Sequence, residues 1–203
     1  YLLFPENARK TWQKHFHDTA VKALNLNFRD TLQLAVKARK EFYMRKSPCE
    51  LLAIAASHPK RHVFNKKNPL VFRKTVQEVC LIPDDMISVL DSWKSHQGSK
   101  SKFPTILKKA FADILLELTP YQANKYRKSC IDAIRIAHPK KTKVIEKLIQ
   151  TGKLALSDHD KTWEILRSEG KSWEEVLNAL QWKMPHMAAL RNVRGVALHV
   201  RKE

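Results

Sequence analysis

The stretch Trp182-Lys-Met-Pro-His-Met-Ala-Ala-Leu-Arg-Asn-Val-Arg194 contains the helix pattern from which the fold of this chain is predicted. Pro185 has no backbone N–H and therefore suits the first turn of a helix, where that donor has no partner. Met187, Leu190 and Val193 then recur at a spacing of three. This spacing predicts a helix with an apolar stripe.

Two arginines, Arg191 and Arg194, lie beside that stripe and one helical turn apart. The pattern predicts a helix docked on its neighbours, with guanidinium groups held at its edge. Spacing alone favours a packed terminal helix whose arginines are solvated. The alternative, that these arginines bind a ligand, stays open.

Helix signals of the same kind recur along the chain. Three capping boxes, each a Ser or Thr followed three residues later by Glu or Gln, mark helix starts. They are Ser47-Pro-Cys-Glu50, Thr119-Pro-Tyr-Gln122 and Ser172-Trp-Glu-Glu175. With apolar residues at helical spacing and no convincing strand, we predict about ten to twelve short helices. The expected fold is all-α, with HEAT-like helical repeats arranged as a curved solenoid or a closed ring.

The 203 residues are enough for one sizeable core, and we predict a single all-helical module over residues 1–203. The start, Tyr1-Leu-Leu-Phe-Pro5, lacks Met and any basic leader region. We therefore expect the chain to be a fragment of a longer protein.

Charge is the strongest global signal in the sequence. The chain has 38 Lys and Arg against 20 Asp and Glu, giving a net charge of +18. Residues 1–46, 47–128 and 129–203 carry +6, +7 and +5, so the excess is not confined to a tail. A polyanion relieves such self-repulsion, and nucleic acid is the first expected partner. No membrane partner is predicted, because no segment approaches about 18 uninterrupted apolar residues.

The three cysteines, Cys49, Cys80 and Cys130, are odd in number and far apart. Without a CxxC pair, neither a disulfide framework nor a structural zinc site is expected. A reducing compartment fits better, so the predicted location is intracellular: the cytoplasm, the nucleus or an organelle matrix.

No constellation of catalytic or metal-binding residues is recognised. The four glycines cannot form a P-loop or a GxGxxG motif, and HExxH does not occur. Asp84-Asp85 and Asp158-His-Asp160 lie at predicted helix starts, where carboxylates interact favourably with the helix dipole. We predict no enzymatic activity, no metal and no cofactor.

Three segments, taken in order, resemble the TROVE module, the RNA-binding ring of the Ro autoantigen and of the telomerase- and vault-associated protein. The form here is closer to the telomerase/vault type, and residues 1–46 are the hardest to place. The segments are Leu51-Leu-Ala-Ile-Ala-Ala56; Leu118-Thr-Pro-Tyr-Gln-Ala-Asn-Lys-Tyr126 with Ala133-Ile-Arg-Ile-Ala-His-Pro139; and Trp173-Glu-Glu-Val-Leu177 with Met184-Pro-His-Met-Ala-Ala-Leu-Arg-Asn192.

This resemblance implies a ring of antiparallel helix pairs that binds RNA. In the family, the central hole takes single-stranded 3′ ends and the basic outer face takes small structured RNAs. By position in the motifs, Lys125, Arg127 and His138 would contact RNA. Arg191 and Asn192 match the final motif, where packing is an alternative role.

The chain departs from the family pattern in two respects. The stretch between Lys128 and Ser129 is shorter than in the family, which puts the geometry of that connection in doubt. No Asp-x-Ser-x-Ser run occurs, so the metal-dependent von Willebrand A domain of many relatives is not expected.

Physical reasoning on the residues adds further candidates. Tyr126 lies between Lys125 and Arg127, an interleaving suited to stacking unpaired bases; anchoring a helix end in the core is the equal alternative. Tyr43, between Phe42 and Met44, is a weaker case. Lysines at a predicted helix start oppose the dipole and so favour a phosphate contact. The candidate RNA-binding residues are Lys125, Tyr126, Arg127, Lys128, His138, Lys140, Lys141, Arg191 and Arg194.

The predicted function is a non-enzymatic RNA-binding module of a ribonucleoprotein particle. Its partners would be a small structured non-coding RNA, a single-stranded RNA end or rRNA, together with other ribonucleoprotein subunits. The alternative is an architectural helical protein in a large assembly such as a ribosome or a vault, where it would contact rRNA or protein partners.

Overall fold

A computed structural model describes residues 6–98, 101–181, 184 and 186–200 of the chain. Across these ranges the secondary structure is helical and contains no strand, which confirms the predicted all-α class. A short 3-10 turn, Asp158–Asp160, precedes α11. The helices are α1 Glu6–Leu26, α2 Phe28–Lys40, α3 Lys46–Ser57, α4 Arg61–Lys67, α5 Val71–Val79, α6 Pro83–Gln97, α7 Thr105–Glu117, α8 Pro120–Lys125, α9 Arg127–Ala137, α10 Lys143–Thr151, α11 Trp163–Ser168, α12 Trp173–Ala179, α13 His186–Arg191 and α14 Val193–Val200.

The central helices form two layers. Helices α2, α5 and α7 lie side by side in one layer, and α3, α6 and α9 lie side by side in the other. Helix α2 packs on α3 across the layers, α7 packs on α9, and α1 packs on both α2 and α3.

The core lies between these layers, and helix α3 is apolar on more than one face. In α3, all residues from 51 to 56 are buried, as expected of a helix surrounded by protein. Helix α6 buries an apolar stripe at helical spacing, Met86, Val89, Leu90 and Trp93. The largest fully buried side chains in the described part include Phe72 of α5 and Phe111 of α7.

A buried carboxylate joins the helix ends on one side of the array. Asp85, only 1% exposed, lies 2.9 Å from Nη2 of Arg39 and 3.1 Å from Nη2 of Arg45. Its Oδ2 atom, which binds Arg39, also accepts a hydrogen bond from the backbone N–H of Ile82 at 3.2 Å. Arg39 Nε also donates to the carbonyl of Val79 at 3.1 Å. We call this set of contacts the Asp85 clasp.

The clasp defines one edge of the two layers. Arg39 is near the end of α2, Val79 ends α5, and Asp85 lies in the first turn of α6. The neighbouring Asp84 accepts a 2.6 Å hydrogen bond from Ser129, in the first turn of α9. The ends of α2 and α5 and the starts of α3, α6 and α9 therefore meet at this edge, which we call the rim.

Two of the three predicted capping boxes are confirmed and one is wrong. Thr119 accepts from the N–H of Gln122, and Ser172 from the N–H of Glu175, each at 3.2 Å. The box at Ser47 does not form, because α3 begins at Lys46, two residues before the start that the box predicts. The residue at its cap, Arg45, is held by Asp85 rather than by a local side-chain cap.

Tertiary contacts set the helix boundaries in two further segments. The basic segment 58–67 contains α4, whose Phe64 ring packs 4.8 Å from that of Phe28, a contact that local sequence does not show. The segment 158–168 is divided between the 3-10 turn and α11, since Lys161 is extended and its ammonium bonds both Asp158 and Glu169.

The prediction that the C-terminal stripe is docked is wrong. Met187, Leu190 and Val193 are each more than half exposed. Contact with α12 is made instead by α14 at Gly195, where any β-carbon would overlap the Trp173 indole. That face of α14 packs and the stripe is left in solvent. Pro185, predicted in the first turn, lies outside the described residues.

Replacing Asp85 by Asn should cost about 3 kcal/mol in the free energy of unfolding, because two arginines then lose their buried counter-charge. Urea unfolding followed by helical circular dichroism measures the loss. Asp132→Asn is the matched control, since the Asp132–Arg135 ion pair is largely exposed and should contribute less than about 0.5 kcal/mol. Equal losses in the two variants would show that the clasp does not bear on stability.

Two histidines link stability to pH. Burial lowers the pKa of His58, and nearby Lys60 lowers it further. Burial also lowers the pKa of His96, against the opposing effect of Glu50, while His17 adds to the lowering. Both therefore bind protons more weakly in the folded chain than in the unfolded one, whose ordinary value is 6.5.

Acidification from about pH 7.5 to about pH 5.5 should thus reduce the free energy of unfolding, because protons favour the unfolded state over this window. The variants His58→Gln and His96→Gln should each flatten the dependence, measured by urea unfolding at both pH values. His186→Gln, which changes an exposed histidine, should leave the slope as in the parent protein. Stability that rises on acidification would contradict the assignment.

Candidate nucleic-acid interface

The segment that contains α8, α9 and α10 carries a large excess of positive charge. Residues 120–153 include nine Lys and Arg and only two acidic residues. In the described part of the chain, Arg135 alone among those nine makes an ion pair, at 3.5 Å from Asp132. The other eight cations are left with their charge facing solvent or a ligand.

Four of the predicted residues lie together at the junction of α8 and α9, on the rim. Lys125 ends α8 and Arg127 begins α9. Tyr126 between them is half-buried and packs against the core. Its ring therefore anchors the helix end in the core, which is one of the two roles that the sequence left open. Lys125, Arg127 and Lys128 are exposed.

Lys125 is held in place by two tyrosines. Its Nζ lies 5.6 Å from the ring centroid of Tyr121 and 5.5 Å from that of Tyr126, which is cation–π range. Interaction with the Tyr121 hydroxyl, followed by the charge effects of both tyrosines, raises the pKa of Lys125. The ammonium is accordingly charged and oriented without an acidic partner.

An open groove of about 770 Å³ runs beside this lysine, and we call it the α8 groove. Tyr121 and Lys125 form one wall, and Lys153 with the chain that follows it forms the other. Lys161 also lines the groove, but Asp158 at 2.9 Å and Glu169 at 2.7 Å neutralise it. The two unpaired cations of the groove are therefore Lys125 and Lys153, within the residues that the structure describes.

Asn124 fixes the two walls relative to each other. Its Nδ2 donates to the carbonyl of Leu154 at 2.9 Å, and its Oδ1 accepts from the N–H of the same residue at 2.8 Å. This paired contact satisfies both backbone groups of a buried residue, which would otherwise be costly. The groove is thus held open by its own structure.

Arg127 is positioned by the end of α10. Gly152 terminates that helix with φ +64°, and any β-carbon there would collide with the Arg127 guanidinium. The guanidinium therefore lies against the carboxyl end of α10, where the helix dipole favours a cation. The exposed side of the guanidinium remains available to bind an anion.

His138, Lys140 and Lys141 lie at the opposite end of α9 from Arg127. His138 closes the helix in a left-handed conformation, φ +49°. Eleven residues of α-helix separate the two groups by about 16 Å. The structure therefore does not bring the predicted residues of the second motif into one site.

The lysine run before α10 lies where the sequence predicts. Thr142 caps the helix by accepting from the N–H of Ile145 at 3.2 Å, so Lys140 and Lys141 immediately precede its positive end. Both lysines are exposed, and neither has an ion pair within the described ranges. An external anion would relieve this unfavourable placement.

Arg191 and Arg194 are exposed on α13 and α14. Helix α14 packs on α12, where Trp173 receives Gly195. Trp173 itself is stacked 6.0 Å from Trp163 and lies under the Arg167 guanidinium at 5.0 Å. Packing of α14 thus sets the position of these arginines, which form a group separate from the cations at the α8–α9 junction.

Sequence reasoning missed three residues of the α8 groove: Tyr121, Asn124 and Lys153. Tyr121 could have been found from the sequence, because its spacing of four from Lys125 on one helix places both residues on the same face. Asn124 and Lys153 had no local signal. They become neighbours of the groove only because the chain reverses at Gly152.

The arrangement is suited to binding an extended anion. No group of three or more His, Cys, Asp or Glu in the described ranges could hold a metal ion. Among the described helices, none is long and apolar enough to cross a bilayer. The three cysteines are free and buried, so none presents an accessible thiol at the groove.

Asn124→Ala should lower the free energy of unfolding by about 2 kcal/mol, since it leaves both backbone groups of Leu154 without partners. Faster hydrogen exchange at the Leu154 amide, relative to core amides of α6, would locate the effect. Asn178→Ala removes an exposed amide from α12 and should change neither quantity. An unchanged exchange rate at Leu154 would mean that the clamp is not needed to hold the groove wall.

Comparison with known proteins gives no relative for this chain. No protein-family model matches it, and neither a curated protein nor a solved structure does. The resemblance to the TROVE module therefore stays a prediction, and the function is argued below from charge and geometry.

Proposed function

We propose that this chain is a non-enzymatic RNA-binding module of a ribonucleoprotein particle. The observation that carries the proposal is the cluster of unpaired cations around α8, α9 and α10, where eight of nine basic side chains lack an ion pair in the described part. Lys and Arg in such a cluster bind phosphates and release counterions.

The local chemistry favours RNA over a compact anion. The α8 groove combines cations with the Tyr121 ring, and aromatic rings stack on unpaired bases. The two cationic groups at the ends of α9, about 16 Å apart by helix rise, suit a ligand that extends over several phosphates. Structured RNA and single strands both present such a chain.

The proposal extends to the architecture. The two layers of helices, with α2 on α3 and α7 on α9, are what a row of HEAT-like helix pairs would give. We propose that the pairs belong to a curved solenoid or ring of the TROVE type. The RNA would then lie along the basic side of that array.

A second function is favoured by one observation, the apolar stripe on α13 and α14. Met187, Leu190 and Val193 are exposed, next to the exposed Arg191 and Arg194. Exposed apolar residues in a row are typical of protein contact sites. The chain would then be an architectural component of a large assembly, meeting rRNA with its charge and proteins with this stripe.

Lys125→Ala combined with Arg127→Ala should weaken RNA binding about tenfold at low salt and lower the magnitude of the salt slope by roughly 1.4, the value for two lost contacts to a single strand. Fluorescence anisotropy with a labelled 12-nucleotide oligouridylate and with an RNA hairpin measures both quantities. Helix content should not change, because both side chains are exposed.

The matched control is Lys66→Ala with Lys67→Ala, which removes the same charge from α4, at the other end of α3 from the rim. Its binding should stay within about twofold of the parent protein. Equal loss in both double variants, or equal affinity for heparin and RNA, would contradict a specific RNA surface. Aggregation of the isolated chain without a discrete RNA stoichiometry would favour the architectural function.

A further inference from the structure

The turn between α2 and α3 exposes three large side chains in succession. Phe42 is 61% exposed, Tyr43 83% and Met44 50%. Single exposed apolar residues are common on protein surfaces, but three adjacent ones on one turn are not explained by packing. Neither the fold nor the proposed RNA surface at α8–α10 uses them.

This turn is held by its backbone. The N–H of Met44 donates to the carbonyl of Ala38 at 3.0 Å, and Arg39 Nη1 reaches the carbonyl of Met44 at 3.5 Å. Tyr43 has φ +54°, a left-handed conformation that is unfavourable for a bulky residue. Such a conformation persists only where the surroundings impose it, so the side chains are presented from a fixed frame.

The turn lies on the same edge of the fold as the α8–α9 junction. Arg39 and Arg45, on either side of the turn, both bind Asp85 at the start of α6. The adjacent Asp84 binds Ser129 at the start of α9. Two steps between neighbouring helices, each about 8–10 Å, separate the turn from Arg127 along the rim.

The surroundings of the turn are positively charged. Residues 37–46 contain five basic residues and one acidic residue, Glu41. Glu41 lies 3.7 Å from Lys37, and Lys40 lies 3.6 Å from Glu78. Lys46 remains unpaired in the described part of the chain. A partner that covers the three apolar side chains must therefore tolerate or prefer positive charge around it.

We propose that Phe42 and Tyr43 form a stacking site for an unpaired base of the RNA whose phosphates are bound at α8–α9. This inference rests on the proposed function. Aromatic faces bind any base, while Lys46 beside the turn and the unpaired cations at α8–α9 bind the phosphates that flank it. The occupant is thus a single-stranded segment that runs along the rim from the turn towards Arg127.

A protein partner would use the same aromatic residues in a different way. Interfaces are enriched in Phe, Tyr and Met, but their centres are depleted of charge. The unpaired Lys46 here, and the unpaired cations Lys125, Arg127 and Lys128 farther along the rim, favour nucleic acid. The test below separates the two partners, because only nucleic acid offers bases and phosphates that can be varied independently.

The test compares a base-containing ligand with one that lacks bases. Phe42→Ser combined with Tyr43→Asn should bind a labelled 12-nucleotide oligoadenylate about fivefold or more weakly than the parent protein. The same variant should bind an abasic ribose-phosphate 12-mer as the parent does, and its salt slope should be unchanged because no phosphate contact is lost. Anisotropy titrations at several salt concentrations give all three values.

The matched control is Leu34→Ser, which removes an exposed apolar residue from the middle of α2 and should bind both oligomers normally. Asn is used at position 43 because it tolerates the left-handed conformation, and Tyr43→Asn alone provides the test if the double variant does not fold. Melting curves establish that each variant is folded.

Unchanged oligoadenylate affinity, or equal losses with both oligomers, would overturn the stacking site. If Lys125→Ala with Arg127→Ala still weakens binding in that case, the proposed function stands without this site and the turn is left as a protein contact. No binding of either oligomer by the parent protein would overturn the proposed function and the stacking site together.

Discussion

The fold depends on one buried carboxylate that is shared by several helix ends. Asp85 holds Arg39 from α2 and Arg45 from the start of α3, while Arg39 also caps the last turn of α5 through Val79. Burying a charge is costly unless it is paired and hydrogen-bonded, and here the pairing extends across four helices. A polar contact therefore sets the relative positions of the two layers at the rim. The apolar core packs between the layers.

Charge is used differently in the two parts of the molecule. In the layer of α2, α5 and α7, several cations are paired with acids, as in Lys40–Glu78 and Arg73–Asp113. Around α8, α9 and α10, the described part has one ion pair, Asp132–Arg135, and aromatic rings or a helix end hold Lys125 and Arg127 instead. A surface whose charge is not balanced internally gains most from an external polyanion, and this contrast supports the proposed RNA partner.

The sequence predicts those features that depend on neighbours along the chain. The caps at Thr119 and Ser172 are local, and they are confirmed. The cap at Ser47 is wrong because a distant carboxylate, Asp85, recruits the residue next to it. The α8 groove could not be derived, since Asn124 and Leu154 meet only after the chain has reversed. The apolar stripe at Met187 has correct helical spacing, but spacing does not say which face finds a partner.

The glycine that ends α10 has an effect beyond its own turn. The guanidinium of Arg127 fills the space that any larger side chain at position 152 would need. A side chain at position 152 would strain the left-handed backbone there and would displace this flexible guanidinium from the end of α10. The size of a residue that carries no charge thus affects where a charge encoded earlier in the chain is displayed.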